Sequence, residues 1–439
     1  MTTPAFKGNG GAREDDVLVI GETTFRSDRR RFGLFAEDRG RHLYALGKTG
    51  SGKSTLLRNL VIQDLKAGRG VALFDPHGDL VESVLPHVPT EREREVLFFN
   101  PEDRDFPVAW NVFRQGRSLH QDPALLASSL VAAFKNNWSS SWGPRLEAAL
   151  RAAILAIASD PRASLGFLYR FLTDEPLRLE LVRQHTDPIV RQFWLREFPG
   201  YSQALRGEML SPVMNKLAAV NANRIVRNIV AQERSRVDFG EHLEEGRILF
   251  AKLTPGTIGE DAAHLLGSLL LSSLELAAMS RPIGSVRVYV FIDEVQRYVS
   301  EALPSMLSEA RKFGISLHLA NQFFGQLTGA VQDAVLGNVG TFVIFRVGAS
   351  DARILADELG PPYTPEDLVH LERQHVAVRL LMRGDELRPF SARTLEPPPT
   401  PHDAKERRAR IVQYSREQYA SPRVRVETAI DQLFDNGPS

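Results

Sequence analysis

Cysteine is absent from all 439 residues, which excludes disulfides, thiolate metal sites and cysteine nucleophiles and suits a reducing compartment. Net charge is absent as well. Lys plus Arg and Asp plus Glu stand at 54 each, so bulk charge supplies no electrostatic footprint for nucleic acid, and any such contact must be local. No basic-then-apolar leader stands between Met1 and Asp16, so secretion is not expected. Long hydrophobic runs are scarce too. The most apolar window, Ala262 to Met279, has about the length of a membrane span but carries His264, Glu275 and several serines. A buried or amphipathic helix is expected there, in a cytoplasmic chain. With 43% hydrophobic residues, the length suffices for two or three domains with ordinary cores.

What is present is an alternation of short apolar runs and helical patterns. From Val17 to Gly47, apolar runs broken by polar turns end in His42-Leu43-Tyr44-Ala45-Leu46, a buried-strand candidate feeding directly into a glycine-rich loop. Ser54 to Ala67 then carries Leu56, Leu57, Leu60, Val61 and Leu65 at helical spacing and stops at Gly68 and Gly70. Val71 to Phe74 and Val96 to Phe99 read as further core strands, and alternating β and α argues a parallel sheet. Around Ser118 the texture becomes rich in Ala, Leu and Arg, with helical periodicity to about Gly240. The alternation resumes with Ile248 to Phe250, the Ala262 window, Val286 to Ile292, a helix near Glu301 to Phe313, Ile315 to Leu319 and Thr341 to Phe345. The expected organisation is an α/β domain with a mainly parallel sheet in two pieces, 1–117 and 241–395, split by an all-α insertion, 118–240. Residues 396–439 form a stiff linker, opened by Pro397-Pro398-Pro399, and a charged helical tail.

The loop after the first core strand is Gly47-Lys48-Thr49-Gly50-Ser51-Gly52-Lys53-Ser54, which satisfies G-x4-G-K-[ST]. A chance match in a chain this long is a roughly one or two per cent event. Between a strand and a helix, successive backbone N–H groups and the helix N-terminus form an anion cradle, so residues Gly47 to Thr55 are expected to hold ATP. Lys53 would reach the β and γ phosphates and Ser54 would ligate Mg2+. Val288 to Ile292 is an apolar strand that delivers Asp293 and Glu294 to its C-terminal end, where ligands bind in open α/β sheets. Asp293 can hold Mg2+ through water and Glu294 can polarise a lytic water, a pairing that hydrolysis needs and a small-molecule kinase does not.

Another apolar strand, Ser316 to Ala320, ends in Asn321-Gln322, where an amide can sense the γ phosphate; Gln322 is the preferred candidate. Transition-state charge needs a cation, and Arg311, at the end of the helix after the carboxylate pair, is the candidate arginine finger, with Arg346 its rival. In Asp75-Pro76-His77-Gly78-Asp79, the preferred reading has Asp75 lining the nucleotide site and Pro76 to Gly78 shaping a turn, ahead of a metal site. Arg383-Gly384-Asp385 reads as a hairpin turn, and Thr364-Pro365-Glu366-Asp367 as a helix start. Trp138, Trp142 and Trp194 share the helical region with Arg145, Arg206, Lys216, Arg224 and Arg227. Core packing and a solvated basic face are favoured over base stacking there.

These stretches, with Trp142-Gly143-Pro144-Arg145, Gly337 to Gly340, Phe345 to Gly348 and Tyr419 to Arg423, resemble the TraG/TraD-type coupling ATPases of conjugation and type IV secretion, within the FtsK and HerA group of DNA pumps. The resemblance runs through most of the chain. It implies a RecA-like P-loop core with an inserted all-α domain, a homo-hexameric ring, hydrolysis at subunit interfaces and ATP-driven passage of DNA through the channel. Partners would be a relaxase and secretion-channel components, or a nuclease if the chain serves HerA-like DNA processing or defence. A protein-transfer motor and a nucleotide-gated scaffold are the other readings, and Glu294 argues against the last. Members commonly carry an N-terminal membrane anchor; none is expected here, so attachment at the inner membrane would run through partners.

Overall fold

The computed structural model describes residues 17–24, 29–114, 122–138, 141–298 and 302–435. Met1 to Asp16, Ser118 and Glu301 lie outside them. Contacts divide the chain into two compact units, Met1–Phe98 with Leu243–Lys252 and Pro282–Val412, and Phe99–His242 with Leu253–Arg281 and Gln413–Ser439.

The first unit is built on a sheet. In chain order its strands are β1 (Val17–Thr23), β2 (Arg31–Phe35), β3 (Leu43–Leu46), β4 (Gly70–Asp75), β5 (Val96–Phe99), β6 (Ile248–Lys252), β7 (Val288–Ile292), β8 (Ile315–Asn321), β9 (Thr341–Ile344), β10 (His375–Arg379), β11 (Leu381–Met382), β12 (Asp385–Glu386) and β13 (Phe390–Thr394). Among the described residues eleven of them form one sheet, ordered β2-β1-β13-β10-β9-β3-β8-β7-β4-β6-β5. From β9 to β6 all pairings are parallel. The strands β3, β4, β7, β8 and β9 are buried along their whole length, and strands covered on both faces read as near-continuous apolar runs, the polar Ser316, His318 and Asn321 of β8 being the main exceptions.

Four antiparallel strands, β10, β13, β1 and β2, extend the sheet at one edge, so the sheet is mostly parallel but mixed. Burial in β1 and β13 is only partial, and a register shift between Val19 and Gly21 breaks the period of β1. Such strands carry a weak alternation that sequence reading passes over. The short β11–β12 hairpin turns at Arg383 (φ 51°) and Gly384 (φ 86°), both left-handed as a type I′ turn demands. Asp38 accepts hydrogen bonds from the backbone N–H groups of both at 2.7 and 3.0 Å.

Helix α1 (Lys53–Lys66) buries Leu56, Leu57, Leu60, Val61 and Leu65 against this sheet. A buried ion pair ties it to the turn that leads into β3. Arg39, in the 3-10 turn Asp38–Arg41, donates to both carboxylate oxygens of Asp64 on α1 at 2.7 and 2.5 Å, and neither side chain is exposed at all. Tyr289 lies under the Arg39 guanidinium, 3.3 Å from Cζ to ring centroid.

His42 follows that turn in a left-handed conformation (φ 62°) and is buried. Its Nε2 lies 3.0 Å from the Leu307 carbonyl, and its Nδ1 accepts from Leu317 N–H at 3.0 Å, which fixes the neutral Nε2–H tautomer. Burial, aided by Arg311 and Arg287, lowers its pKa from 6.5 to about 4. A value depressed on folding contributes stability above the unfolded pKa, and that contribution is lost as pH falls through 6.5 toward about 4. The wild type is therefore expected to lose stability between those limits more steeply than His42→Asn, which removes the titrating ring. Denaturant midpoints across that range check it; parallel slopes would refute the assignment.

The second unit is helical. Six of its helices open on matched caps: the side chains of Asp122, Ser164, Asp174, Asp187, Ser202 and Asn223 each accept from a first-turn N–H, three of them just before a proline at the first or second position. The Glu260–Met279 helix, expected among the sheet's own elements, belongs to this unit and lies against the Pro123–Asn137 helix, with Asn136 donating to Ser268 at 3.1 Å. Length and composition would let it cross a membrane, yet 83% of its apolar window is buried. The expected tail is two helices, Ala404–Tyr419 and Arg423–Asp435, the second packed on Leu165–Thr173 and Arg224–Val230.

Candidate functional site

Strand β3 hands the chain to the phosphate loop beside the ends of β8 and β9. The backbone there is specified by glycine. At Gly52 φ is 125°, a region L side chains rarely adopt, and a Cβ on Gly47 would stand 2.5 Å from Phe345 Cβ. Lys48 N–H donates to the Arg346 carbonyl at 2.9 Å, and Gln374 N–H to the Ser51 carbonyl at 2.9 Å, so neighbouring strand ends brace the loop. No side chain caps the start of α1, which leaves its first-turn N–H groups for an anion.

Lys53 is buried and donates to the Gly47 carbonyl at 2.5 Å, folding its ammonium back over the loop. Burial lowers its pKa, opposed by the charges of Glu294 and Asp293. Ser54 Oγ donates to Asp293 Oδ2 at 3.3 Å, which puts the two expected Mg2+ ligands side by side. Asp293 is pushed up to about 6, by burial first and then by the negative charges of Glu294 and Asp75. The crowded Asp293 carboxyl, which resists ionisation, next to a hydroxyl is a fitting donor pair for a hard dication, with phosphate oxygens and water completing its shell.

Glu294 is buried and left-handed (φ 48°, ψ 56°), a conformation costly for a residue with a side chain. Its Oε1 accepts from Gln322 at 3.1 Å and its Oε2 from Gln296 at 2.6 Å. Gln322 thus reaches the carboxylate from the end of β8. Asn321, one residue earlier, is turned away and structural: it accepts from Tyr44 O–H at 2.5 Å and donates to the Phe323 carbonyl at 2.9 Å. Gln296 was not singled out by sequence reading; the signal available was an amide two residues after the glutamate.

Asp75, at the end of β4, spends its oxygens on the N–H groups of His77 and Val81, both at 2.9 Å. It shapes the turn and lends charge rather than offering a free oxygen to nucleotide. No group of three or more His, Asp or Glu arranged to hold a metal stands among the described residues, so the D-x-H-x-D spacing forms no metal site. A cavity of about 450 Å³ opens beside the loop, lined by Lys48, Thr49, Gln322, Phe323, Gly348 and Ser350.

The two arginine candidates separate by place. Arg346, exposed, follows β9 on the side of the phosphate loop. Arg311, also exposed, lies beside Gly40 in the turn before β8, a strand whose seven residues at about 3.3 Å each span roughly 23 Å, so it stands at the opposite end of β8 from Gln322. It cannot serve the phosphate loop of its own chain.

In the helical unit Trp194 is core, stacked edge-on against Phe171 and Phe193 and donating to the Ala152 carbonyl at 3.1 Å. Trp142 donates to Glu147 at 2.9 Å, and Trp138 packs on Phe134. Lys216 is buried and bonded to Ser141. Arg145 and Arg224 pair with Glu208 and Glu427 on the surface, contacts worth little and easily exchanged.

Comparison with known proteins agrees with this geometry. The model of the type IV secretion-system coupling protein DNA-binding domain matches residues 34–362. The type 4 coupling protein DotL of Legionella pneumophila is 25% identical over 375 residues, 70% of this chain and 47% of DotL, so the chain spans about half the length of that curated relative. The plasmid coupling protein TrwB in complex with ADP and Mg2+ superposes with a TM-score of 0.59 at 15% identity, covering 90% of this chain and 99% of TrwB. VirB4 of Thermoanaerobacter pseudethanolicus gives 0.58 at 13% identity, covering 89% and 99%. By the match of its phosphate-loop unit and most of its helical unit, the chain belongs to the family of type IV secretion-system coupling protein DNA-binding domains.

Proposed function

We propose that this chain is a Mg2+-dependent ATPase that assembles into a ring, a homo-hexamer, and moves DNA in conjugative transfer or type IV secretion. The observation that carries the reading is the buried Asp293–Glu294 pair facing the phosphate loop, with Ser54 on one carboxylate and Gln322 on the other. Family membership and the TrwB fold, solved with ADP and Mg2+, support it. Lys53, freed from the Gly47 carbonyl, would bind the β and γ phosphates, and the loop from Gly47 to Thr55 would wrap them. Ser54 and Asp293 would hold Mg2+, which supplies charge neutralisation and phosphate orientation. Glu294 would take the proton of the attacking water, and Gln322 would contact the γ phosphate.

Arg311 is the finger we favour, acting on the site of an adjacent subunit because its own site is out of reach. The chain would work at the cytoplasmic side, with a relaxase and channel components as partners; a nuclease partner would mark the DNA-processing alternative.

The purified protein is expected to hydrolyse ATP only with Mg2+ and faster with DNA, the stimulation fading as salt rises. Mixing Lys53→Ala with Arg311→Ala subunits should restore part of the turnover each lacks alone. Hydrolysis indifferent to DNA would sink the DNA-motor reading and favour protein transfer; no complementation would return the finger role to Arg346.

A further inference from the structure

Two side-chain amides close on Glu294, and they are not equivalent. Gln322 comes from β8, a separate strand, and donates to Oε1 at 3.1 Å. Gln296 comes from the 3-10 turn Val295–Arg297 that Glu294 itself opens, and donates to Oε2 at 2.6 Å. The left-handed backbone of Glu294 brings this about, because it reverses the chain so that a side chain two residues on returns to the carboxylate. The shorter bond is therefore local and moves with Glu294. The longer one can break while Glu294 stays in place. Gln296 Oε1, on the same amide, is buried and has no protein donor among the described residues. A water bound at Glu294 is the donor such an acceptor calls for.

We infer that Gln296 is a positioning residue for the hydrolytic glutamate, and that Gln322 is the releasable cap of the same carboxylate. Gln296 pins Oε2 and so fixes Oε1 as the oxygen that meets the water. Without nucleotide, Gln322 covers Oε1. When ATP is bound, a γ-phosphate oxygen offers the Gln322 N–H a charged acceptor, and Oε1 is uncovered. Oε1 then takes one proton from the water as its oxygen bonds to the γ phosphorus. The bond from that phosphorus to the β–γ bridging oxygen breaks, and ADP leaves with the bridging oxygen and its electron pair. The base is in this way exposed only when its substrate is present. The inference rests on the hydrolytic reading proposed above.

Steady-state hydrolysis by the full chain with Mg2+ tests it. Gln296→Ala should lower kcat about 10- to 100-fold, the loss of one charge-assisted hydrogen bond from the base, with KM within about two-fold of wild type. Gln296→Glu keeps the size and removes the donor; its kcat relative to wild type should be low at pH 8 and rise toward pH 6, as the new carboxyl gains a proton to donate. A wild-type kcat in both variants overturns the inference, as does a loss carried equally by KM with an unchanged pH profile. Glu294→Gln, run in parallel, separates the two readings. If that variant turns over like wild type, the hydrolytic reading itself fails; if it is inactive while both Gln296 variants match wild type, only the positioning role is lost.

Discussion

Glu294→Gln is expected to lower ATP turnover by about 10²–10⁴-fold, the range a positioned general base supplies, while ATP stays bound. The change keeps the shape of the side chain and the left-handed turn, and although its new NH2 cannot accept from whichever of Gln296 and Gln322 it meets, a flip of that partner's amide restores a bond. What it removes is the lone pair that receives the water's proton. It also removes the negative charge that, after burial, does most to push Asp293 up to about 6. Asp293 should then ionise more readily and remain available to Mg2+, and Lys53 loses one of the two carboxylates that now hold its charge. Binding should therefore survive where chemistry does not. Filter binding of labelled ATP beside single-turnover hydrolysis measures both. Turnover within a few-fold of wild type would remove Glu294 from the chemistry, and loss of binding in step with turnover would make it a structural residue.

The parts of this site that the sequence discloses are those whose chemistry is local. Gly47, Gly50 and Gly52 are demanded by the backbone of one loop, and Asp293 with Glu294 by the end of one strand, so spacing alone reveals them. The sequence already preferred Gln322 over Asn321; what no periodicity contains is the physical reason, that Asn321 is fully buried and bonded to Tyr44. Gln296 stayed hidden because its contact depends on a left-handed glutamate, and glutamate gives no sign of adopting that conformation. The parallel strands were legible because they are buried throughout and mostly apolar, whereas β13 alternates buried and open residues over only five positions and β10 is a short run flanked by His375 and Arg379. The Glu260–Met279 helix was legible as a helix, but its place in the helical unit is decided by tertiary contacts such as Asn136 to Ser268.

Long-range ion pairs are the extreme case of what spacing cannot show, and the largest expected stability effect sits on one. Asp64→Ala is expected to destabilise the chain by about 3–5 kcal/mol, because it strands the Arg39 guanidinium in a place with no solvent contact. Arg39→Ala should cost less, since Asp64 keeps Arg69, whose bond at 3.0 Å lies partly open to water. Replacing both Arg39 and Asp64 by leucine should recover much of the loss, because the desolvation cost goes with the charges. Urea midpoints for the three variants check the order; an Asp64→Ala shift under about 1 kcal/mol would mean that water reaches the pair. The consequence extends to the site. Arg39 stands just before β3 and Asp64 on α1, the two elements that bracket the phosphate loop, so this pair sets the angle at which strand hands over to helix. Where Asp64→Ala still folds, its KM for ATP should rise while Glu294, Gln296 and Gln322, carried by β7, β8 and the turn after β7, keep their geometry and leave kcat nearly intact.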